Sequence, residues 1–311
     1  MTSATQAERL HNKPKYRLQE EGQGYRIFTV FNTIFLVGML ICTLYPVYYV
    51  IIASFSNAKE LMTNYGLLWL PLRPISLMAY ELVFRNPLVL SGYRNTFIIL
   101  IGGLAVNMTL TIVGAYSLSL KGSMFMRPMS MLILFTMYFS GGMIPIYMNV
   151  RDLGMMDSLW ALIIPTAINT YNMLIMRSAF AAIPDAMYEA AHMDGASHPR
   201  IMATIYTPLS GATIAVIVLY YAVAHWNSWF NASIYITTTA KYPLQLVLRQ
   251  ILILNQNFEL NATMTDLGEQ ALYANLVKYA LIVVSTVPIL VLYPFLQKFF
   301  AKGVMVGALK G

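Results

Sequence analysis

Covalent chemistry needs a nucleophile, a base or a metal cradle at short spacing, and the sequence offers none. The histidines His11, His192, His198 and His225 form no H-E-x-x-H arrangement and have no companion cysteines, which argues against a zinc site. No G-x-S-x-G elbow occurs, so a serine hydrolase is not expected. Without a single Gly-Lys dipeptide, a phosphate-binding loop of the G-x-x-x-x-G-K-[ST] type cannot form. Cys42 lies in an apolar run with no intrachain partner, so there is no disulfide framework. What the chain does carry is binding chemistry. Asn107, Asn169, Tyr171, Asn172, Tyr220, Tyr221 and the run His225-Trp226-Asn227 place amides and rings within otherwise apolar stretches. Such groups can hydrogen-bond a polar solute and cover its C–H surface. The same residue types also join neighbouring helices or line a membrane interface, and spacing leaves both readings open.

The elements that must position these residues are membrane helices. Of 311 residues 58% are hydrophobic and only 11% charged, whereas a soluble domain carries about 25% charged residues to wet its surface. The mean hydropathy is +0.60. These values exclude an ordinary cytosolic enzyme, a secreted disulfide scaffold and a disordered regulator. The net charge of +7 is scattered and forms no basic helix, so headgroups explain it better than nucleic acid. A hydrocarbon core about 30 Å thick needs about 20 apolar helical residues. Six stretches qualify: Ile27–Phe55, Asn95–Leu120, Pro128–Met148, Ser158–Arg177, Gly211–Phe230 and Leu276–Phe300. The expected fold is therefore all-α and membrane-integral: a tail over 1–26, six transmembrane helices within 27–300 and a second tail over 301–311. The apolar run Gly66–Leu72 is too short to span and reads as an interfacial loop.

Six spans put both termini on one side. Arg9, Lys13, Lys15, Arg17, Arg26, Lys121 and Arg127 weight that side with cations, so both termini are expected in the cytoplasm. Pro46, Pro145, Pro165, Pro288 and Pro294 remove helix hydrogen bonds, and Gly141-Gly142 shortly precede Pro145, so several spans should be broken. No Asp or Glu falls inside any span. Ion-coupled carriers keep such groups near the midplane, so energy is expected to come from outside this chain. Outside the spans, Pro243–Leu254 reads as an apolar helix and Asn255–Leu267 as a polar loop after it. Arg94, Lys241 and Arg249 stand on the outer side, suited equally to anionic groups and to headgroups.

Between the fourth and fifth spans runs a segment over 181–209 whose local signals agree. Pro184-Asp185 can start a helix, Gly195 suits the left-handed turn that stops one, and Ser197 with Pro199 opens a second. Met187, Ala190, Ala191 and Asp194 share one small, mildly apolar face that suits a partner's groove. Glu189-Ala190-Ala191, Asp194-Gly195-Ala196, Ile205 and Pro208-Leu209 resemble the EAA loop of ATP-binding-cassette importer permeases. The closing Leu-Pro of that pattern is Thr207-Pro208 here. Tyr138–Pro145 and the tail Lys302–Gly311 look like the carbohydrate permeases of the MalG type, in the branch that handles larger oligosaccharides.

That resemblance implies a type I importer permease that catalyses no covalent step and binds no cofactor, ATP and Mg being held by partner ATPase subunits. Tyr188, Glu189, Ala190, Ala191, Asp194, Gly195 and Ala196 would dock on the ATPase, with Glu189 pairing to hold the loop. A second, non-identical permease would complete the pathway for a sugar, to which the amides and rings named above would belong. An extracytoplasmic binding protein would deliver the sugar, touched by Asn255, Gln256, Asn257, Phe258 and Glu259; a plain solvated loop is the alternative there. A permease for another solute and an ion-coupled secondary carrier are the rival functions. A bacterial cytoplasmic membrane is the expected location.

Overall fold

The computed structural model describes residues 23–64, 66–120, 126–261, 276–291 and 294, with backbone alone at 23, 62, 127 and 254–261. Helices α1 (Gln23–Ser54), α2 (Ala58–Thr63), α3 (Met78–Arg85), α4 (Pro87–Ser119), α5 (Met126–Tyr138) and α6 (Met143–Asp152) come first. Two 3₁₀ turns, Leu159–Leu162 and Ile164–Thr166, lead into α7 (Thr170–Ala181) and α8 (Asp185–Met193). Then follow α9 (His198–Leu209), α10 (Gly211–Trp226), α11 (Trp229–Tyr235), α12 (Leu244–Asn261) and α13 (Leu276–Val291). No strand occurs among the described residues.

The chain divides into two compact units, Met1–Tyr49 and Val50–Gly311. In the first, the described part is α1 up to Tyr49. It is apolar all round, with Ile27, Phe31, Ile34 and Leu40 exposed, the surface of a helix that needs a lipid solvent. Pro46 lies inside α1 without ending it.

In the second unit α4 is the central post. Asn86 starts it, its side-chain oxygen accepting the Leu88 N–H at 3.0 Å, with Pro87 in the first turn, where a missing N–H costs nothing. The helix thus begins at Pro87, ahead of the expected Asn95, and its 33 residues extend about 50 Å. Buried Asn95, Thr96, Ile99, Asn107, Thr111 and Ala115 run down its packed side. Gly92 lets α12 approach, since a Cβ there would lie 3.1 Å from the Leu244 Cα. Tyr93 does a second job. Pro288 has no N–H to give the Val284 carbonyl, and the Tyr93 hydroxyl donates to that carbonyl at 2.5 Å instead.

Breaks divide the other spans. The stretch expected over Pro128–Met148 bends by 109° between Pro128–Tyr138 and Met143–Asp152. The turn falls at Gly142, whose φ of +88° and ψ of 177° suit only glycine. Leu159–Thr166 and Thr170–Ala181 meet at 50° beyond Pro165, and His198–Leu209 meets Gly211–Trp226 at 87°. Counting each bent pair as one, five stretches among the described residues have the length and apolarity to cross a membrane. The sixth, expected over Leu276–Phe300, is described as helix over Leu276–Val291. Residues 295–300, the loop Lys121–Phe125 and the tails 1–22 and 301–311 lie outside the described residues. One expected boundary is corrected. Asn255 to Asn261 continue α12 as helix, so a polar loop cannot begin at Asn255; 262–275 lie outside the described residues.

Candidate functional site

The start of α7, the end of α10, the Asn227–Ser228 turn and the start of α11 enclose a cavity of about 700 Å³. The helix break creates its wall. The Asn169 side-chain oxygen caps α7 by accepting the Asn172 N–H at 3.0 Å, while the Asn169 N–H donates to the Tyr221 hydroxyl at 3.0 Å. Tyr171 and Tyr220, 53% and 43% exposed, offer ring faces to the space. The hydroxyls of Tyr171 and Tyr220 and the side-chain amide of Asn172 make no hydrogen bond among the described residues. The Ser228 Oγ is buried and equally unpartnered. Among the described residues no Asp, Glu, Lys or Arg lines the cavity, and His225 is the one lining side chain there able to carry a positive charge.

Of the expected pathway residues, Asn169, Tyr171, Asn172, Tyr220, Tyr221, His225 and Asn227 line this cavity together. Asn107 and Trp226 do not. Asn107 is fully buried, donating to the Thr166 and Ala167 carbonyls at 2.7 and 3.1 Å and accepting from His225 Nε2 at 2.9 Å. Trp226 packs edge-on against Tyr93 and Phe97 in an apolar core with Val89 and Leu244. Both take the helix-joining role of their residue type rather than a place on the wall of this cavity. Conversely Ser228, Phe230 and Asn231 line the cavity; the clustering of polar residues where the apolar run ends was the available signal.

At the other end of α7 and α10, the segment 181–209 forms two short helices. Gly195 takes φ +76°, and the N–H groups of Asp194, Gly195 and Ala196 donate to the carbonyls of Ala190, His192 and Ala191 at 3.0 Å each, closing α8. Pro208 has no N–H for the Thr204 carbonyl, and α9 widens into a π turn over Met202–Tyr206 just before it. Tyr188 stacks on His192 and His198, and the His198 ring nitrogen Nδ1 lies 3.1 Å from the Tyr116 hydroxyl of α4. Tyr188, Ala191 and Ala196 pack against the core of Tyr116, Phe180 and Tyr206. The face expected to be free for a partner is thus divided: Ala191 turns inward, and Met187, Glu189, Ala190 and Asp194 face outward. Glu189 makes no hydrogen bond or ion pair among the described residues, so the expected pairing is not what holds the loop; the aromatic stack is.

A clamp ties Asp157 to the segment that follows α11. Asp157, at φ 56°, accepts from the Thr237 and Thr238 N–H groups and the Thr238 hydroxyl, and pairs with Lys241 at 2.7 Å. The Lys241 ammonium and the Thr238 donors hold its carboxyl well below the usual carboxylate range. The Arg249 guanidinium sits 3.9 Å over the Trp229 ring. Lys241 and Arg249 are therefore engaged within the chain; Arg94 is exposed. The side chains of Asn255, Gln256, Asn257, Phe258 and Glu259 lie outside the described residues.

Residues 117–306, which contain both the loop and the cavity, match the model of the binding-protein-dependent transport system inner membrane components. The chain belongs to that family. The permease is 40% identical to Protein LplC of Bacillus subtilis (strain 168), over 92% of this chain and 96% of that one. It is also 40% identical to the polygalacturonan/rhamnogalacturonan transport system permease protein YtcP of the same organism, over 89% and 95%. Among solved structures, a chain of a bacterial ABC transporter involved in the import of the acidic polysaccharide alginate superposes with a TM-score of 0.81. It shares 31% identity, over 89% of the permease and 98% of that chain. The permease is thus a membrane subunit of an ATP-driven, binding-protein-dependent importer, with the helical type I fold.

Proposed function

We propose that this permease forms half of the translocation pathway for an oligosaccharide, one that bears uronate units. The observation that carries the reading is the cavity: two exposed tyrosine rings beside unpartnered amide and hydroxyl groups, the pairing that binds the C–H faces and O–H groups of sugars. The relatives' polygalacturonan/rhamnogalacturonan and alginate substrates support the acidic class. The cavity supplies amides rather than cations to a carboxylate, so a second, non-identical permease shares its recognition. Asn169, Tyr171, Asn172, Tyr220, Tyr221 and Asn227 form this chain's share of the path.

The outward groups of α8 and the turn at Gly195 dock on an ATPase subunit, two of which bind the ATP and Mg; this chain performs no covalent step and holds no cofactor. Both termini and the docking loop lie in the cytoplasm of a bacterium. On the other side Asn255, Gln256, Asn257, Phe258 and Glu259 meet the binding protein. Closure of the ATPases moves the loops and opens the path to one side at a time.

ATP-dependent uptake of labelled oligogalacturonate into proteoliposomes tests this, using the complete importer with its binding protein. Wild type is expected to accumulate the sugar, and Gly195→Asp to lose uptake in an assembled complex whose binding protein still loads. Undiminished uptake by that variant would remove the coupling role of the loop. Uptake by this chain alone, driven by an ion gradient, would move it to the secondary carriers.

A further inference from the structure

The break between Thr166 and Thr170 leaves backbone carbonyls that no helical turn satisfies, in surroundings where an unpaired polar group is costly. Thr166 and Ala167 are two of these, and the one side-chain amide of Asn107 donates to both, at 2.7 and 3.1 Å. Carbonyls only accept, so the Asn107 nitrogen must face them and its oxygen is left toward His225, whose Nε2 lies 2.9 Å away. That ring nitrogen therefore carries a proton. Both Asn107 amide hydrogens and its oxygen are engaged within the protein. The fit is tight: Asn107 is 0% exposed and His225 4%, and a Cβ on Gly103 would fall 2.4 Å from Nε2. Past the break, the Asn169 N–H reaches the Tyr221 hydroxyl, which is also bonded to Thr111 Oγ1 at 2.8 Å. Helices α4 and α10 thus hold both sides of the break.

We propose that Asn107 and His225 are positioning residues for transport. They brace the broken helix so that Asn169, Tyr171 and Asn172 stand on the cavity wall: Asn107, which does not line the cavity, acts through the backbone it holds, and His225, which borders the cavity, acts by fixing the Asn107 amide through Nε2. The proposal rests on the reading of the cavity as the sugar path. It differs from a general role in stability because the brace meets the one backbone break that carries the wall.

The test is the number of oligogalacturonate molecules imported per ATP hydrolysed by the complete reconstituted importer with loaded binding protein. Asn107→Ala should lower that ratio about fivefold or more while stimulated ATP hydrolysis persists. His225→Ala should lower it in the same way. His225→Gln, whose amide can donate to the Asn107 oxygen, should recover it to within about twofold of wild type. Loss of folded complex alone would depress uptake and hydrolysis together and leave the ratio intact; that result, or a Gln variant no better than Ala, overturns the brace. Tyr171→Ala separates the two readings. If it lowers the ratio and Asn107→Ala does not, the path stands and the brace falls. If Tyr171→Ala leaves uptake whole, the reading of the cavity as the path fails first.

Discussion

Asp157 shows how a single side chain can tie together distant segments of this permease. Its two carboxylate oxygens take two backbone N–H groups, a hydroxyl and the Lys241 ammonium, and join residues 80 and more positions apart in the chain. The charged form is the one these donors favour, so folding depresses its pKa. A depressed carboxylate contributes stability that is present above the unfolded pKa, about 3.9, and is lost as pH falls through the folded value. The thermal midpoint of the detergent-purified complex is therefore expected to exceed that of Asp157→Asn by a constant margin above about pH 5. Below about pH 4 the margin should shrink. A margin that instead vanished between pH 6 and 8 would mean that the clamp depends on another group.

At the scale of elements, the helix breaks give the permease its shape, and glycine and proline set them. Gly142 occupies backbone space that costs another residue about 1–3 kcal/mol. Gly142→Ala should lower the stability of the complex by that amount, read as a lower midpoint in thermal or denaturant unfolding, whereas the neighbouring Gly141→Ala, with no positive φ, should change it far less. The break near Pro145 and the turn at Gly195 were legible in the sequence, because a residue lacking an N–H or a Cβ leaves a local mark. The bends of 109°, 50° and 87° were not, since an angle arises from what the two halves pack against. The same limit explains the site residues. Asn107 and Asn172 are both mid-span asparagines, but Asn107 faces two carbonyls and Asn172 a cavity. Ala191 and Ala190 are adjacent and identical, but one packs on the aromatic core and the other faces outward. Spacing groups residues on a helix face; it does not say which neighbour that face meets.

Across the whole of the larger unit, the cavity and the segment 181–209 lie at opposite ends of shared helices. Helix α10 leaves the loop at Gly211 and delivers Tyr220, Tyr221 and His225 to the cavity, its 16 residues spanning about 24 Å. Helix α7 joins the same two regions in the other direction, from the Asn169 cap to Phe180 in the core beneath α8. The aromatic stack of Tyr188, His192 and His198, tied to α4 through Tyr116, makes the loop continuous with those helices, so on the proposed docking a force on α8 is expected to reach the cavity wall. Damage at the two ends should therefore be separable by what each leaves intact. Ala190→Trp puts a large ring on the outward face of α8 without entering the core. It should depress ATP hydrolysis and sugar uptake in parallel, by roughly tenfold if docking loses about 1.4 kcal/mol. Tyr171→Ala together with Tyr220→Ala should spare the hydrolysis stimulated by the binding protein and reduce only the sugar delivered. Both quantities can be read from one proteoliposome preparation. If Ala190→Trp left hydrolysis untouched while uptake fell, the outward face of α8 would not be where the ATPase grips this chain, and the mechanical route through Tyr188 would have to start elsewhere.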